Sequence, residues 1–204
     1  MPTPKSNYHH GDLRQSLLMN ATDIIKEGGV EALSMRRLAD RTGVSRTAPY
    51  HHFKDKNELL CAIAELGFLQ QEQSIQNIPS ELTSQNGMLL FEKYVLAYIQ
   101  FADQHPETYD LMFGKEIWKI GEPTERLKEV SKASFRQWMS WVEELQQQAV
   151  LPDTESSLRV AQTCWATLHG LCRLMNDGIY LDRKDLEEMG RTAVSMLISK
   201  HINS

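Results

Sequence analysis

The chain has 204 residues, of which 41% are hydrophobic and 24% are charged, and its net charge is −5. This length allows one large or two small domains, and no run approaches the roughly 20 apolar residues that span a bilayer. Cys61, Cys164 and Cys172 lack Cys-x-x-Cys spacing, and the start lacks the apolar core of a signal peptide, so we expect a cytosolic protein with reduced, buried thiols and no disulfide framework or zinc site.

The first two predicted helices have clear start and stop signals. Apolar residues recur at helical spacing from about Asp12 to Glu27, and the pair Gly28-Gly29 ends that helix. The second helix begins after Ser34, whose hydroxyl can cap free backbone N–H groups. Gly43 ends it, because glycine adopts a positive φ without steric cost.

The segment after Gly43 predicts a short helix with a polar outer face. Ser45 and Thr47 are candidate caps, and Pro49 must lie in the first helical turn, so we expect this helix to begin near Arg46. Pro49 and Phe53 are four residues apart and should face the core together. The outward face is then formed by Arg46, Thr47, Tyr50 and His51. These cationic, hydroxyl, phenol and imidazole groups suit a DNA groove.

The next predicted helix begins at Asp55. Asp55 and Glu58 have the spacing of a capping box, and the ammonium group of Lys56 lies where it could meet a phosphate. The apolar stripe continues through Leu66, which predicts one long helix joining an N-terminal head (residues 1–60) to a body (residues 61–204).

The body also has helical periodicity, with no alternating strand pattern. A polar loop is expected at about residues 77–87. Further helices are predicted at about 88–104, around 111–113, and at about 123–149, 154–176 and 182–202. We therefore expect an all-α protein of two domains.

The charge is distributed unevenly between head and body. Residues 1–60 carry nine Lys or Arg against seven Asp or Glu, whereas residues 61–204 carry thirteen against twenty. Since DNA affinity depends on the local field at the phosphates, a mildly basic head on an acidic body is compatible with DNA binding.

Several motifs resemble one family. Gly43-Val44-Ser45, Tyr50-His51-His52-Phe53, Lys56 and Leu59-Leu60 resemble the helix-turn-helix signature of TetR-type transcriptional regulators. The opening Tyr8-His9-His10-Gly11-Asp12-Leu13 and the later Trp165-x-x-x-His169-Gly170 resemble one branch of that family. The resemblance implies a three-helix head on a larger helical domain for ligand binding and dimerisation.

The resemblance also implies which residues of the head contact DNA. Arg36, Thr47, Ala48 and His51 match positions that read bases. Ser45, Tyr50, His52 and Lys56 match positions that hold phosphates, and Arg46 could do either. The expected partner is a palindromic operator in double-stranded DNA, with half-sites about 34–36 Å apart.

A homodimer through the last two helices is implied as well. Two apolar stripes support it: Leu158, Ala161, Trp165, Leu168 and Cys172 on one helix, and Leu186, Met189, Ala193 and Met196 on the other. Ala166 and Gly170 are small and four residues apart, so this face of the helix could approach another helix closely.

Aromatic side chains of the body are candidates for lining an effector pocket, although an aromatic stripe at helical spacing is more often plain core. The candidates are Phe91, Tyr94, Tyr98, Phe101, Trp118, Phe135, Trp138, Trp165 and His169. Because no Lys or Arg shares these stripes, we expect an apolar or aromatic effector that is neutral or cationic. His169 has Trp165 and Arg173 at i±4, so it is not expected to bind a metal.

Two alternatives to an effector-controlled repressor stay open. One is a ligand-free DNA-binding adaptor whose body serves only dimerisation or a protein partner, and an enclosed apolar cavity would argue against it. The other is an enzyme, which needs convergent catalytic groups. No nucleophile, metal or phosphate-binding motif is present, so we expect neither catalysis nor a cofactor.

Overall fold

The computed structural model describes residues 10–76, 82–83, 85–179 and 182–198, which form helices joined by turns and short loops and contain no strand. This confirms the all-α expectation. The helices are α1 (His10–Gly28), α2 (Met35–Thr42), α3 (Lys56–Gln76), α4 (Gly87–Gln104), α5 (Pro106–Phe113), α6 (Glu125–Gln147), α7 (Ser157–Asn176) and α8 (Leu186–Leu197).

The described residues form two compact units. The first unit contains residues up to Gly67 together with Glu107–Lys128, and the second contains Phe68–Pro106 together with the residues from Glu129 onward. Helix α3 therefore contributes its first part to one unit and its last part to the other. The assignment of DNA binding to residues 1–60 and of ligand binding to 61–204 stays a prediction.

In the first unit, α1 and α2 pack through the stripes that their sequences predict. Leu17 and Ile24 of α1 and Leu38 of α2 are fully buried. At the exposed edge of this contact, the Arg41 guanidinium donates two hydrogen bonds to the Glu27 carboxylate, at 2.6 and 2.7 Å. This bidentate pair joins the end of α1 to the end of α2.

Residues 107–128 pack in the same unit as the start of α3. A Cβ at Gly67 would lie 2.6–2.9 Å from side-chain atoms of Met112 and Thr108, so glycine permits the close approach of α3 and α5. After Gly114 the chain forms a π-helix, Glu116–Ile120, which the sequence pattern does not predict.

In the second unit, α4 packs against α7 and α8. A Cβ at Gly190 would lie 3.1 Å from the side chains of Ile99 and Leu96, so α8 lies close to α4 at that point. The Trp138 indole N–H of α6 donates a 3.0 Å hydrogen bond to the Ala161 carbonyl of α7. Buried aromatic residues of α4 and α6 complete this core.

Most helix ends lie within a few residues of the expected positions. The last helix differs, because residues 183–185 form a 3₁₀ turn before α8 begins, and α8 ends at Leu197. The predicted continuation to Ile202 includes residues 199–204, which lie outside the described residues. The same holds for Tyr8 and His9 of the opening motif and for residues 77–81 and 84 of the expected loop.

Candidate functional site

Local signals near α2 fold as expected. The Ser34 hydroxyl accepts a hydrogen bond from the Arg37 N–H at 3.1 Å, which confirms it as the cap of α2. Gly43 ends the helix in the left-handed conformation with φ 73°. The Val44 N–H then donates to the Ala39 carbonyl, so the chain reverses tightly before the next segment.

Residues 45–51 form a more tightly wound turn than the expected helix, and this segment is the 45–51 turn. The prediction of a helix starting near Arg46 was wrong, because the regular element is a single 3₁₀ turn, Ala48–His51, with Pro49 at its start. The Ala48 N–H donates to the Ser45 carbonyl and the Tyr50 N–H to the Thr47 carbonyl. Proline lacks an N–H and is therefore accommodated at this position.

The expected capping by Ser45 and Thr47 was also wrong. Their hydroxyl groups lie 3.1 Å apart and hydrogen-bond to each other. Thr47 makes no side-chain cap to the 3₁₀ turn. Both residues are exposed, so the two hydroxyls form one polar edge of the turn.

The turn has the two faces that its sequence predicts. Pro49 is buried and Phe53 is 2% exposed. Tyr50 is 55% exposed, and the other exposed candidates for DNA contact are Arg36, Ser45, Arg46, Thr47 and His51. Ala48, His52 and Lys56 are half-buried. An apolar inner face thus supports an outer face of hydrogen-bond donors and acceptors.

Four arginines of the head fall into two pairs. Arg41 and Arg37 lie beside Glu27, at 2.6 and 3.9 Å, and their charges together with the hydrogen bonds from Arg41 lower the pKa of that carboxyl. Arg36 and Arg46 form no ion pair with the residues that the structure describes. The second pair is therefore available to an external anion.

The start of α3 is fixed by its side chains. The Glu58 N–H donates to Asp55 Oδ1 at 2.9 Å, as a capping box requires, but the Glu58 carboxylate accepts from Lys54 N–H, one residue before the expected partner. The Lys56 ammonium donates to the Val30 carbonyl at 2.7 Å. Two of its three protons remain for a phosphate.

A second candidate site lies in the second compact unit, where aromatic rings of α4 and α6 contact one another. Tyr94 stacks on Trp138 with ring centroids 4.6 Å apart, and its centroid lies 4.9 Å from that of Trp141. Trp141 also contacts Phe91 at 6.3 Å. Trp141 lies three residues after Trp138, a spacing that places both on one face of α6, yet the sequence analysis did not single it out as a site residue.

Trp165 of α7 contacts three of the other candidate residues. Its indole N–H donates to the Tyr98 hydroxyl at 3.1 Å, Phe135 meets it edge-on at 6.2 Å, and His169 stacks on it at 5.4 Å. Burial, together with nearby Arg173, lowers the pKa of His169. A lowered pKa favours the neutral form of the imidazole.

Tyr94 has an unusual environment. Its side chain is half-buried and retains accessible surface, while burial of the phenol raises its pKa well above the usual range. Its hydroxyl makes no hydrogen bond to any residue that the structure describes. Gln71 of α3, in the same unit, is 5% exposed, and its amide nitrogen also lacks a partner among the described residues.

One of the nine predicted pocket residues, Trp118, lies outside the second compact unit. Trp118 belongs to the first compact unit, where its indole N–H donates to the Met112 carbonyl at 2.8 Å. Phe101 is 5% exposed and contacts the His105 ring at 5.1 Å. The remaining seven candidates lie in the second unit together with Phe101.

The outer faces of α7 and α8 border an open groove of about 590 Å³, lined among others by Leu171, Met189 and Met196. Met196 is 81% exposed, and a Cβ at Gly170 would meet no atom within 4 Å. The predicted stripes were partly wrong about this face. Ala161, Leu168, Cys172, Leu186 and Ala193 are buried within the chain itself.

The described residues contain neither a cluster of metal ligands nor a helix suited to a membrane. They contain no group of three or more His, Cys, Asp or Glu side chains able to hold a metal ion. None of the described helices has the length and apolar content that a membrane crossing requires. The three cysteines are free and buried, as expected.

Comparison with known proteins identifies relatives of both parts of the chain. Residues 17–63 match the family model described as bacterial regulatory proteins, tetR family, and residues 91–197 match the tetracyclin repressor-like C-terminal domain. The tetracycline repressor protein class C of Escherichia coli is 44% identical over 52 residues, covering 26% of this chain and 24% of that protein. The transcriptional repressor AcnR of Corynebacterium glutamicum is 34% identical over 99 residues, covering 48% and 45%.

A solved structure covers nearly the whole chain. It is a protein of unknown function from Rhodococcus sp. RHA1, with 31% identity, a TM-score of 0.78, and coverage of 95% of this chain and 97% of that one. The chain spans less than half the length of the two named repressors that it matches.

Proposed function

Because this chain belongs to the TetR family of bacterial regulatory proteins, we propose that it is a DNA-binding transcriptional repressor of the cytoplasm. In this proposal a homodimer binds a palindromic operator. A small apolar or cationic effector that binds the second compact unit lowers the affinity for that operator.

The observation that carries DNA binding is the outer face of the 45–51 turn. Arg46, Thr47, Tyr50 and His51 are exposed together, while Pro49 is buried beneath them. Arg36 adds an unpaired guanidinium from α2, and bidentate arginine contacts to guanine are the commonest specific contact in a major groove. The 45–51 turn and the start of α2 thus supply base readers, and the start of α3 supplies phosphate contacts.

A homodimer follows from the face around Gly170. On α7, a Cβ at Gly170 would meet open space, and Leu171 of the same helix lines an apolar groove together with Met189 and Met196 of α8. A second copy of the same face would cover them and bring two heads to one operator. Half-sites one helical turn apart, about 34–36 Å, suit such a dimer.

Control by an effector is supported by the environment of Tyr94. Tyr94 is a half-buried phenol whose hydroxyl makes no hydrogen bond to the described residues, so it could bind a polar group of a ligand. Trp138 and Trp141 would add apolar surface, and the neutral form of His169 adds no charge. These properties favour effector control over the ligand-free adaptor.

DNA selection with the purified protein tests the proposal. Random duplex fragments are bound, recovered and sequenced, and the affinity for the enriched sequence is then compared with that for a scrambled sequence. We expect a palindromic site and a preference of at least about 10³-fold at physiological salt. Equal affinity for enriched and scrambled DNA would contradict sequence-specific regulation.

The effector is tested by screening neutral and cationic apolar compounds against the protein–operator complex. A true effector should release the operator and raise the melting temperature of the free protein, since it stabilises the folded state by mass action. Trp165→Ala should lose both responses and still bind the operator. A screen without release or thermal shift, together with a body that encloses no cavity, would instead favour the adaptor.

A further inference from the structure

Arg14, in α1, lies over the ring of Phe53. The guanidinium carbon is 5.1 Å from the ring centroid, which is the geometry of a cation–π contact. Phe53 is only 2% exposed, although Arg14 itself is exposed. The arginine therefore covers the aromatic ring and keeps its own charge in contact with solvent.

The position of Phe53 places this charge near the candidate DNA surface. Phe53 follows His52 directly and lies three residues before Lys56, and both neighbours are candidates for phosphate contact. Arg14 is distant in sequence from these residues, so no motif of the head includes it. Its contact with Phe53 places it at the end of the 45–51 turn.

No carboxylate among the described residues neutralises Arg14. Glu27 is occupied by Arg41 and Arg37, while Asp55 and Glu58 accept hydrogen bonds from backbone N–H groups at the start of α3. A guanidinium stacked on an aromatic face keeps its five in-plane N–H donors available for a second partner. Arg14 is thus an ordered and uncompensated cation.

We infer that Arg14 binds a phosphate of the operator backbone and that the Phe53 ring holds its guanidinium in position for that contact. The inference rests on the proposed DNA binding. It adds α1 to the elements that touch DNA. Because a phosphate contact carries no sequence information, its contribution is equal for operator and scrambled DNA.

Salt-dependent binding of Arg14→Ala, Arg14→Lys and Lys26→Ala tests the inference. Lys26 is an exposed cation in the last turn of the same helix, so its loss changes the net charge by the same amount. For Arg14→Ala we expect weaker binding to both operator and scrambled DNA. The slope of log K against log salt should become shallower by about 0.9, which is the value for one phosphate.

The control variants separate a contact from a general charge effect. Arg14→Lys should keep the wild-type slope, because a lysine can still neutralise the phosphate, and Lys26→Ala should keep it as well. The inference is overturned if Arg14→Ala keeps the wild-type slope and only lowers the melting temperature, or if Lys26→Ala reduces the slope equally. If the wild-type protein itself shows no preference for any DNA, the proposed function fails instead.

Discussion

At the scale of single residues, the structure separates cations with similar positions in the sequence. Arg36 and Arg37 are neighbours on α2, yet Arg37 lies 3.9 Å from Glu27 whereas Arg36 forms no ion pair with the described residues. Adjacent side chains on an α-helix point about 100° apart, so Arg37 can face Glu27 while Arg36 points in another direction. Arg36 is therefore available for DNA, and Arg37 is partly compensated.

Arg36 and His51 are exposed candidates for base contact. Arg36→Ala and His51→Ala should each weaken binding to the preferred operator by about 1–3 kcal/mol and relax the base preference at one position. Arg37→Ala is the matched control and should change base preference little. Titrations against operator variants with single base changes measure this. Equal losses of Arg36→Ala on operator and scrambled DNA would show that Arg36 does not read bases.

Lys56 is a candidate for phosphate contact and not for base contact. Lys56→Ala should weaken all DNA sequences nearly alike and lower the salt slope by about one. Since the Lys56 ammonium also donates to the Val30 carbonyl, the variant should be slightly less stable, and denaturation of the free protein measures that separately. An unchanged slope would leave Lys56 with a structural role alone.

At the scale of elements, the loop before α6 is tied to α3 by a row of side chains. Asn57 donates to the Glu122 carbonyl at 2.7 Å and accepts from the Glu122 N–H at 3.3 Å. Two turns further along α3, Glu65 accepts from the Thr124 hydroxyl at 3.2 Å and pairs with Arg126 at 3.0 Å. These contacts hold residues 121–126 in the first compact unit.

Asn57→Ala should therefore lower the free energy of unfolding by about 1–3 kcal/mol, because it leaves backbone groups of Glu122 without their partners. Asn20→Ala is a suitable control, since the Asn20 amide bonds only to the Ser16 carbonyl of its own helix. Urea denaturation of both variants measures the difference. If the two variants unfolded at the same urea concentration, the Asn57 contacts would contribute nothing specific.

At the scale of the whole molecule, the proposed dimer uses the face that α7 and α8 leave open. The stripe predicted from the sequence contained Ala161, Leu168 and Ala193, but these residues are buried in the core of the second unit. A helix that packs against its own chain on one side and a second protomer on the other is apolar on both sides. Periodicity alone does not show which side meets the second protomer. In the same region Met196 is 81% exposed, and Gly170 is half-buried with open space where a Cβ would lie.

Gly170→Leu and Met196→Arg should both shift the protein toward monomers. Leucine adds bulk where two helices would approach closely, and arginine would bury an unpaired charge in the interface. Neither substitution meets neighbouring atoms within the chain that oppose it, since Gly170 faces open space and Met196 is 81% exposed. Sedimentation velocity measures the oligomer, and an unchanged dimer for both variants contradicts this interface.

Ala193→Arg, in contrast, should destabilise the fold of the single chain. Ala193 is only 7% exposed within its own chain. An arginine there would disturb the fold before it disturbed any interface. Circular dichroism should show a loss of stability for this variant at all protein concentrations, whereas the Gly170 and Met196 variants should keep the monomer fold.

The sequence by itself determined the helices and the polar face of the 45–51 turn. Caps, glycine stops and the Pro49–Phe53 spacing act within a few residues, so Ser34 and Gly43 took the predicted roles. Such local signals do not depend on distant partners.

Only the tertiary structure decided which charged and polar side chains find partners and which helix faces are buried. The Glu27–Arg41 pair joins residues 14 positions apart, Asn57 meets Glu122 across 65 positions, and Arg14 covers Phe53 from another helix. The placement of Trp118 apart from the other aromatic residues likewise depends on how residues 107–128 pack. Long-range contacts depend on the packing of whole helices, and helical periodicity specifies an apolar face without specifying its partner.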